Sequence, residues 1–327
     1  MNSPLPPWDQ KTDQYGYDET PFEYTAEQDI PAYGYEYGYD LPEAPPVAEP
    51  VRKTRSILKW IKRMIVLLVV MALLLVAGIF GLRWYTPEES AFMLAHDGPV
   101  IYEWVDLNNI SRHIVSAAIV AEDTEFISRT APFDFEKFIE RVKDDFAGEL
   151  NEGGSTIPQQ LTKNMFLYEG ESKIRKAIEA VLSTPVATTI GKPRQMELYL
   201  NYAQTGPDLF GICTGSWYYF NSAPWNLSPT QAAELVSIFP LPSEARRVDT
   251  PEGGIYVIGP KSTADFHAKL DRIPNDIRFL GGYKAMMEKI GIMDDASDHA
   301  AERDTTKSCS TMPAEVNQLL IDGGYVY

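Results

Sequence analysis

Nineteen consecutive residues without a charge, Met64 to Leu82, constrain this chain more than any other feature. A helix rises about 1.5 Å per residue, so about twenty apolar residues cover the hydrocarbon core of a bilayer, and this run is long enough to cross it. Six basic residues and no acid come just before it: Arg52, Lys53, Arg55, Lys59, Lys62 and Arg63. Arg83, Trp84 and Tyr85 follow. The basic cluster predicts a cytoplasmic N terminus, and the aromatic pair has the character of an interfacial belt. A cleaved signal peptide fits poorly, because the apolar core starts deep in the chain and ends Phe80-Gly81-Leu82-Arg83-Trp84 with no small-x-small cleavage site. The expectation is an uncleaved single-pass anchor, with everything from about residue 84 outside the membrane.

That anchor divides the chain. Residues 1–50 carry eleven acids against Lys11, scattered prolines and seven tyrosines, a composition with too little aliphatic surface to offset the entropy of ordering. They are read as a disordered acidic Tyr/Pro-rich cytoplasmic tail, with 51–63 as a basic juxtamembrane segment and 64–82 as the transmembrane helix. The part beyond the membrane holds 21 basic and 35 acidic residues, a balance of -14. This sign argues against nucleic acid as a partner, since nonspecific binding draws on a basic surface. Two cysteines, Cys213 and Cys309, fall outside the membrane, where a disulfide is allowed but not required. Four histidines form no compact ligand motif with them, so no structural metal is expected.

Helical periodicity dominates the exported part. A short strand-like run, Pro99 to Val105, precedes Ser111, which can cap a helix with Ile114, Ala117, Ala118 and Ala121 on one face. A second amphipathic segment is expected from Phe135 to about Asp145. In Gly153-Gly154-Ser155-Thr156-Ile157-Pro158 two glycines free the backbone, Ser or Thr supplies a cap, and proline is tolerated in the first turn. Further helices are expected over 172–184, 193–201, 228–236, 264–270 and 282–290. Strand pattern is scarce, so the prediction is a mostly α domain over 84–245, with 246–327 as an extension of unassigned role.

Four groups of residues carry chemistry. Glu122 emerges from the apolar run Ala117 to Ala121 beside Asp123, with Phe126 four residues on; a partly desolvated carboxylate there suits proton transfer, although a solvated helix end is the commoner setting. In the second group, Ser155, Thr156, Gln159, Gln160, Lys163 and Asn164 follow the glycines, with Lys163 on the face of Gln159 and Gln160. The third is Arg175-Lys176-Ala177-Ile178-Glu179. Arg175 and Glu179 are one turn apart, which suits either a surface ion pair or two cations on a diphosphate with Glu179 holding them. The fourth is Lys192 to Asn201, where Met196, Tyr199 and Leu200 should pack while Glu197 and Asn201 fix neighbouring loops.

Ala118 to Phe126, Gly153 to Leu167, Arg175 to Glu179 and Lys192 to Asn201 together resemble the four signatures of the peptidoglycan glycosyltransferases, family 51, the lysozyme-like domain of monofunctional transglycosylases and bifunctional penicillin-binding proteins. The resemblance covers roughly residues 98–245. It implies polymerisation of lipid II into β-1,4-linked glycan with release of undecaprenyl diphosphate, by an inverting hexosyltransferase in the bacterial inner membrane. Glu122 and Glu179 would be the catalytic pair. Lys163, Arg175, Lys176, Ser155, Thr156, Gln159, Gln160, Asn164, Asp123 and Phe126 would bind substrate. No cofactor is required, with Mg2+ or Mn2+ as an optional helper. The implied partners are lipid II, the growing lipid-linked glycan, the membrane, separate transpeptidases, and division or elongation proteins.

Two departures from the family pattern stand out. Arg129-Thr130-Ala131, followed by an extra residue, Pro132, replaces its usual His-x-Gly, and Val186-Ala187 replaces a frequent Leu-Glu. Two other readings remain open: a degenerate envelope scaffold of the same fold, and a lytic enzyme that cleaves glycan.

Overall fold

The computed structural model describes residue 38 and residues 53–129, 155–167, 173–293 and 307–325. The tail, the segment 135–145 and the Gly153-Gly154 pair lie outside the described residues. Residues 1–57 and 58–327 are separate compact units.

The chain is mostly helical, as its periodicity predicts. Helix α1 (Lys53–Gly81) contains the apolar run, and its Ile57–Gly81 stretch is the one candidate membrane span among the described residues. Its side chains are exposed along most of that length, as suits a helix whose surroundings are lipid, until Ile79 and Leu82 become buried. A short helix, α2 (Ala91–Leu94), and a two-residue strand, β1 (Ile101–Tyr102), lead to α3 (Arg112–Glu122). The Ser111 hydroxyl accepts from the His113 amide at 3.3 Å and caps α3 as expected. Then follow α4 (Ile157–Phe166), α5 (Lys173–Thr189), α6 (Lys192–Tyr202), β2 (Leu209–Phe210), α7 (Gly211–Phe220) and α8 (Pro229–Ser237). Strands β3 (Ala245–Arg247) and β4 (Ile255–Val257) precede α9 (Pro260–Phe279), α10 (Gly282–Ile290) and α11 (Ala314–Asp322).

The strand-like run before α3 shrinks to β1, which pairs in parallel with β2; β3 and β4 pair antiparallel. The Gly-rich aromatic stretch 206–220 holds a helix, α7, that composition hides. Gly211 enters it at φ +81, a backbone conformation costly for any side chain, and Ile212, Cys213, Tyr219 and Phe220 are buried along it. Helix α5 runs through Pro185, and α9 runs through Pro274 to 20 residues, nearly three times the expected length. In α9, Phe266 and Ile273 are buried, so tertiary packing outweighs the lost backbone hydrogen bond.

Two hydrophobic clusters organise residues 58–327. One takes Ile114, Val115, Ala118 and Ile119 of α3 with residues of α7 to α11, including Leu235, Phe266, Met286 and Val316. Each such fully buried aliphatic side chain contributes about 1.5–3 kcal/mol. The other takes Ile79 and Leu82, Met93 of α2, Leu161 and Met165 of α4, Val186 of α5, Ile190 just after it, and Leu198 and Tyr202 of α6. Helix α4 spans both, giving Ile157 to the first and Leu161 to the second.

Helix α6 does the scaffold work expected of it. Asn201, fully buried, accepts from the Val105 amide and donates to the Val105 carbonyl, both at 2.8 Å. Glu197 accepts from the Leu107 amide at 2.8 Å. Arg194 donates to the Leu82 carbonyl at 2.9 Å and to the Thr86 hydroxyl at 2.7 Å, and the Tyr202 hydroxyl donates to the Pro87 carbonyl at 2.6 Å. The segment leaving the membrane helix is thereby fixed to the second cluster, while Trp84 and Tyr85 remain exposed beside it.

Cys213 of α7 and Cys309 form a disulfide across 96 residues. The Trp217 indole donates to the Cys309 carbonyl at 3.0 Å, and the Asp106 amide donates to the Lys307 carbonyl at 3.0 Å. Residues of the C-terminal extension are thus built into the same core.

Candidate active site

Glu122 is the last residue of α3, and it shares a face with buried Val115, Ala118 and Ile119 because those positions lie three, four and seven residues before it. Its side chain is 10% exposed. Oε2 accepts from Gln160 Nε2 of α4 at 2.9 Å, and Oε1 accepts from Lys269 Nζ of α9 at 2.7 Å. Tyr199 of α6 is fully buried and donates its hydroxyl to Gln160 Oε1 at 3.1 Å. Burial, then the charges of Glu122 and Asp123, push the Tyr199 phenol well above its ordinary range, so it stays a donor. With its amide oxygen taken by Tyr199, Gln160 can present only its NH2 to Glu122. The carboxylate therefore faces an ammonium and an amide, both donors.

Asp123 has a different task. The Arg129 guanidinium reaches both its oxygens at 3.1 Å, and the Ile157 amide donates to Oδ2 at 3.1 Å. That amide is one of the unpaired donors of the first turn of α4, so Asp123 stitches the end of α3 to the start of α4. Arg129, which stands where the family pattern has histidine, holds the other side of this junction. Lys192 closes it below, donating to the Ile127 carbonyl at 3.0 Å with its ammonium over the Phe126 ring. Burial, then the neighbouring Arg129 charge, lowers the Lys192 pKa, opposed by Asp123.

The other sequence-identified residues fall into two sets. Thr156 donates its amide and its hydroxyl to Gln159 Oε1 at 2.9 and 3.2 Å, closing the first turn of α4. The Ser155 carbonyl accepts from Gln160 Nε2 at 3.2 Å. Lys163 is half-buried one turn beyond Gln160, and α5 packs along α4. On α5, Arg175 approaches Glu179 at 3.5 Å, Glu179 is buried, and Lys176 is exposed. Arg175 Nε is buried and has no hydrogen-bond partner among the described residues. Phe126 and Asn164, in contrast, are buried: Phe126 belongs to the first cluster, and Asn164 donates to the Tyr202 carbonyl at 3.3 Å.

Lys269 was not foreseen from sequence. It lies 147 residues from Glu122, in the extension that carried no motif. A signal existed: Lys269 sits three residues after buried Phe266 and four before buried Ile273, so it is a charge on the apolar face of α9. Arg272, one turn on, donates to the Ala121 carbonyl at 3.5 Å.

Divalent-metal ligation finds little support in the donor set. Glu122 and Asp123 are each engaged by a cation, and no group of three or more His, Cys, Asp or Glu side chains among the described residues could hold a metal ion.

Comparison with known proteins gives a consistent picture. Residues 94–255 match the model of a family described as "Transglycosylase". A biosynthetic peptidoglycan transglycosylase of Shewanella amazonensis is 33% identical over 234 residues, 70% of this chain and 90% of the relative. Proteins of the same name from Rhodopseudomonas palustris (strain TIE-1) and Acinetobacter baylyi are each 36% identical, over 64% and 56% of this chain and 88% and 86% of their own lengths.

Proposed function

We propose that this chain, which belongs to the family of biosynthetic peptidoglycan transglycosylases and is a membrane-bound glycosyltransferase of peptidoglycan biosynthesis, polymerises lipid II into β-1,4-linked glycan with inversion at the anomeric carbon. The observation that carries this reading is the Glu122 carboxylate, set at the end of an apolar helix and held by donors on both oxygens at 2.9 and 2.7 Å.

In this mechanism Glu122 takes the proton of the acceptor sugar's 4-hydroxyl as that oxygen attacks the donor's anomeric carbon. The bond to the lipid diphosphate breaks, and its electrons leave with the diphosphate. Each carboxylate oxygen has two lone-pair positions, so the contacts to Gln160 and Lys269 leave capacity for the incoming hydroxyl. The diphosphate is a good leaving group that chiefly needs its charge met. Lys163, Arg175 and Lys176 are assigned that part, with Glu179 holding Arg175. The buried Arg175 Nε, without a hydrogen-bond partner among the described residues, supports it, because such a donor calls for an acceptor. Ser155, Thr156 and Gln159 line the entrance to α4, and Asp123 and Phe126 keep the junction beneath Glu122 rigid. Peptide crosslinking would fall to separate transpeptidases.

The bilayer-bound substrate fits the anchor, since a domain fixed beside the membrane meets it at high local concentration. The basic cluster before the apolar run of α1 supports a cytoplasmic N terminus with the catalytic domain outside. The disulfide supports the same orientation, as such bonds persist in oxidising compartments.

The test is to incubate the detergent-solubilised full-length protein with purified lipid II, with and without Mg2+ or Mn2+. The expected product is a polymer that lysozyme digests. Cleavage of added glycan in place of synthesis would replace this reading with the lytic one, and neither activity would leave a scaffold.

A further inference from the structure

Helix α9 lies beyond residues 94–255 of the family match, yet it delivers a charged side chain straight to Glu122. We propose that Lys269 is a positioning residue, which holds the Glu122 carboxylate oriented for the acceptor hydroxyl, so that the C-terminal extension completes the active site. The proposal rests on the reading of Glu122 as the base.

Three observations support it. Lys269 occupies the buried side of α9 between Phe266 and Ile273, with its side chain 23% exposed. A charge so placed is costly unless paired, and its partner is the side chain assigned to proton transfer, at 2.7 Å. Second, the two oxygens of Glu122 are held from two different helices: Gln160 of α4 fixes one through a neutral hydrogen bond, and Lys269 of α9 fixes the other through a charged one. Without the ammonium, a carboxylate whose side chain is 10% exposed would keep, among the described residues, a single neutral side-chain donor, too little to fix its rotamer. Third, α9 adds Arg272 at the Ala121 carbonyl, so both cations sit at the C-terminal end of α3, where unpaired carbonyls concentrate negative potential. Arg272 is in turn held by Asp276 at 2.8 Å.

The experiment compares polymerisation of lipid II by the full-length protein and its variants Lys269→Met, Lys269→Arg, Glu122→Gln and the double variant Glu122→Gln/Lys269→Met. Lys269→Met should lower kcat on the order of 10²-fold while KM stays within about twofold, since the group acts on the proton-transfer step and not on binding. Lys269→Arg, which keeps the charge, should recover kcat to within about fivefold of the wild type. In the Glu122→Gln background the Lys269→Met change should cost nothing further, because two residues acting through one step are not additive. If Lys269→Met does not fold, as judged by its melting curve, Lys269→Gln takes its place with the same expected loss. Wild-type kcat in Lys269→Met, an Lys269→Arg variant as slow as Lys269→Met, or an additive loss in the double variant would each overturn the proposal while leaving Glu122 as base. Wild-type turnover in Glu122→Gln, or no polymer from the unmodified protein, would instead remove the reading of Glu122, and the role of Lys269 with it.

Discussion

Replacing Cys213 and Cys309 together by alanine removes a cross-link that closes a loop of 96 residues of separation. In the chain-entropy picture a cross-link of this span restricts the unfolded chain by about 4.7 kcal/mol. Part of that is offset in the folded protein. Cys309 is held at φ +50, a left-handed conformation that costs an L residue about 1 kcal/mol, and the residue is free to relax once the bond is gone. The net loss is then about 3.5 kcal/mol, which for a domain of this size lowers the melting temperature on the order of 10 °C. The assay is thermal unfolding of the detergent-solubilised full chain, followed by circular dichroism, under oxidising conditions. Because Cys309 anchors the segment whose Lys307 carbonyl receives the Asp106 amide, limited proteolysis should also release residues around 307–325 first in the variant. A variant that melts within about 2 °C of the wild type, with the same proteolytic pattern, would refute the reasoning.

Two further changes probe the frame and its charges. Asn201→Leu removes the side chain that pairs both the amide and the carbonyl of buried Val105, and should destabilise the fold by about 2–4 kcal/mol in urea unfolding, since both groups are left unsatisfied. Burial, then the nearby Glu315 charge, raises the Glu103 pKa above its ordinary value, so the folded state binds that proton more tightly than the unfolded one. The stability it contributes is present below the ordinary carboxylate range and lost as pH rises through the raised value. Glu103→Gln should therefore melt like the wild type at low pH and above it at neutral pH; equal curves at both would contradict this.

Much of the site could be read from local sequence because local rules build it. Ser111 starts α3, and the apolar run before Glu122 ends it at the junction with Asp123. Thr156 and Gln159 close the first turn of α4, and the spacing of Met196, Tyr199 and Leu200 puts them in the core while Glu197 and Asn201 turn to loops. What stayed hidden depends on contacts far apart in the chain. The pairing of Glu122 with Lys269 joins residues whose neighbours in sequence say nothing about each other. Helix α9 was expected only over 264–270, although Phe266 and Ile273 lie on one buried stripe that runs beyond it. Helix α7 was masked by glycines and aromatics that only a packed interior turns into a helix. Phe126 and Asn164 sit within signatures, and their burial was not legible from the motifs that contain them.

The most direct measurement is the rate at which the Glu122→Gln protein converts lipid II into lysozyme-sensitive glycan, beside the wild type and with melting curves to show both folded. Glutamine keeps the size and can still accept from Lys269 but cannot take a proton, so the account predicts a loss of at least about 10²-fold in kcat, with a lower melting temperature because Lys269 loses its counter-charge, in a protein still folded at the assay temperature. Turnover within about twofold of the wild type would contradict it, because the proton would then be taken by a group other than the one the account assigns.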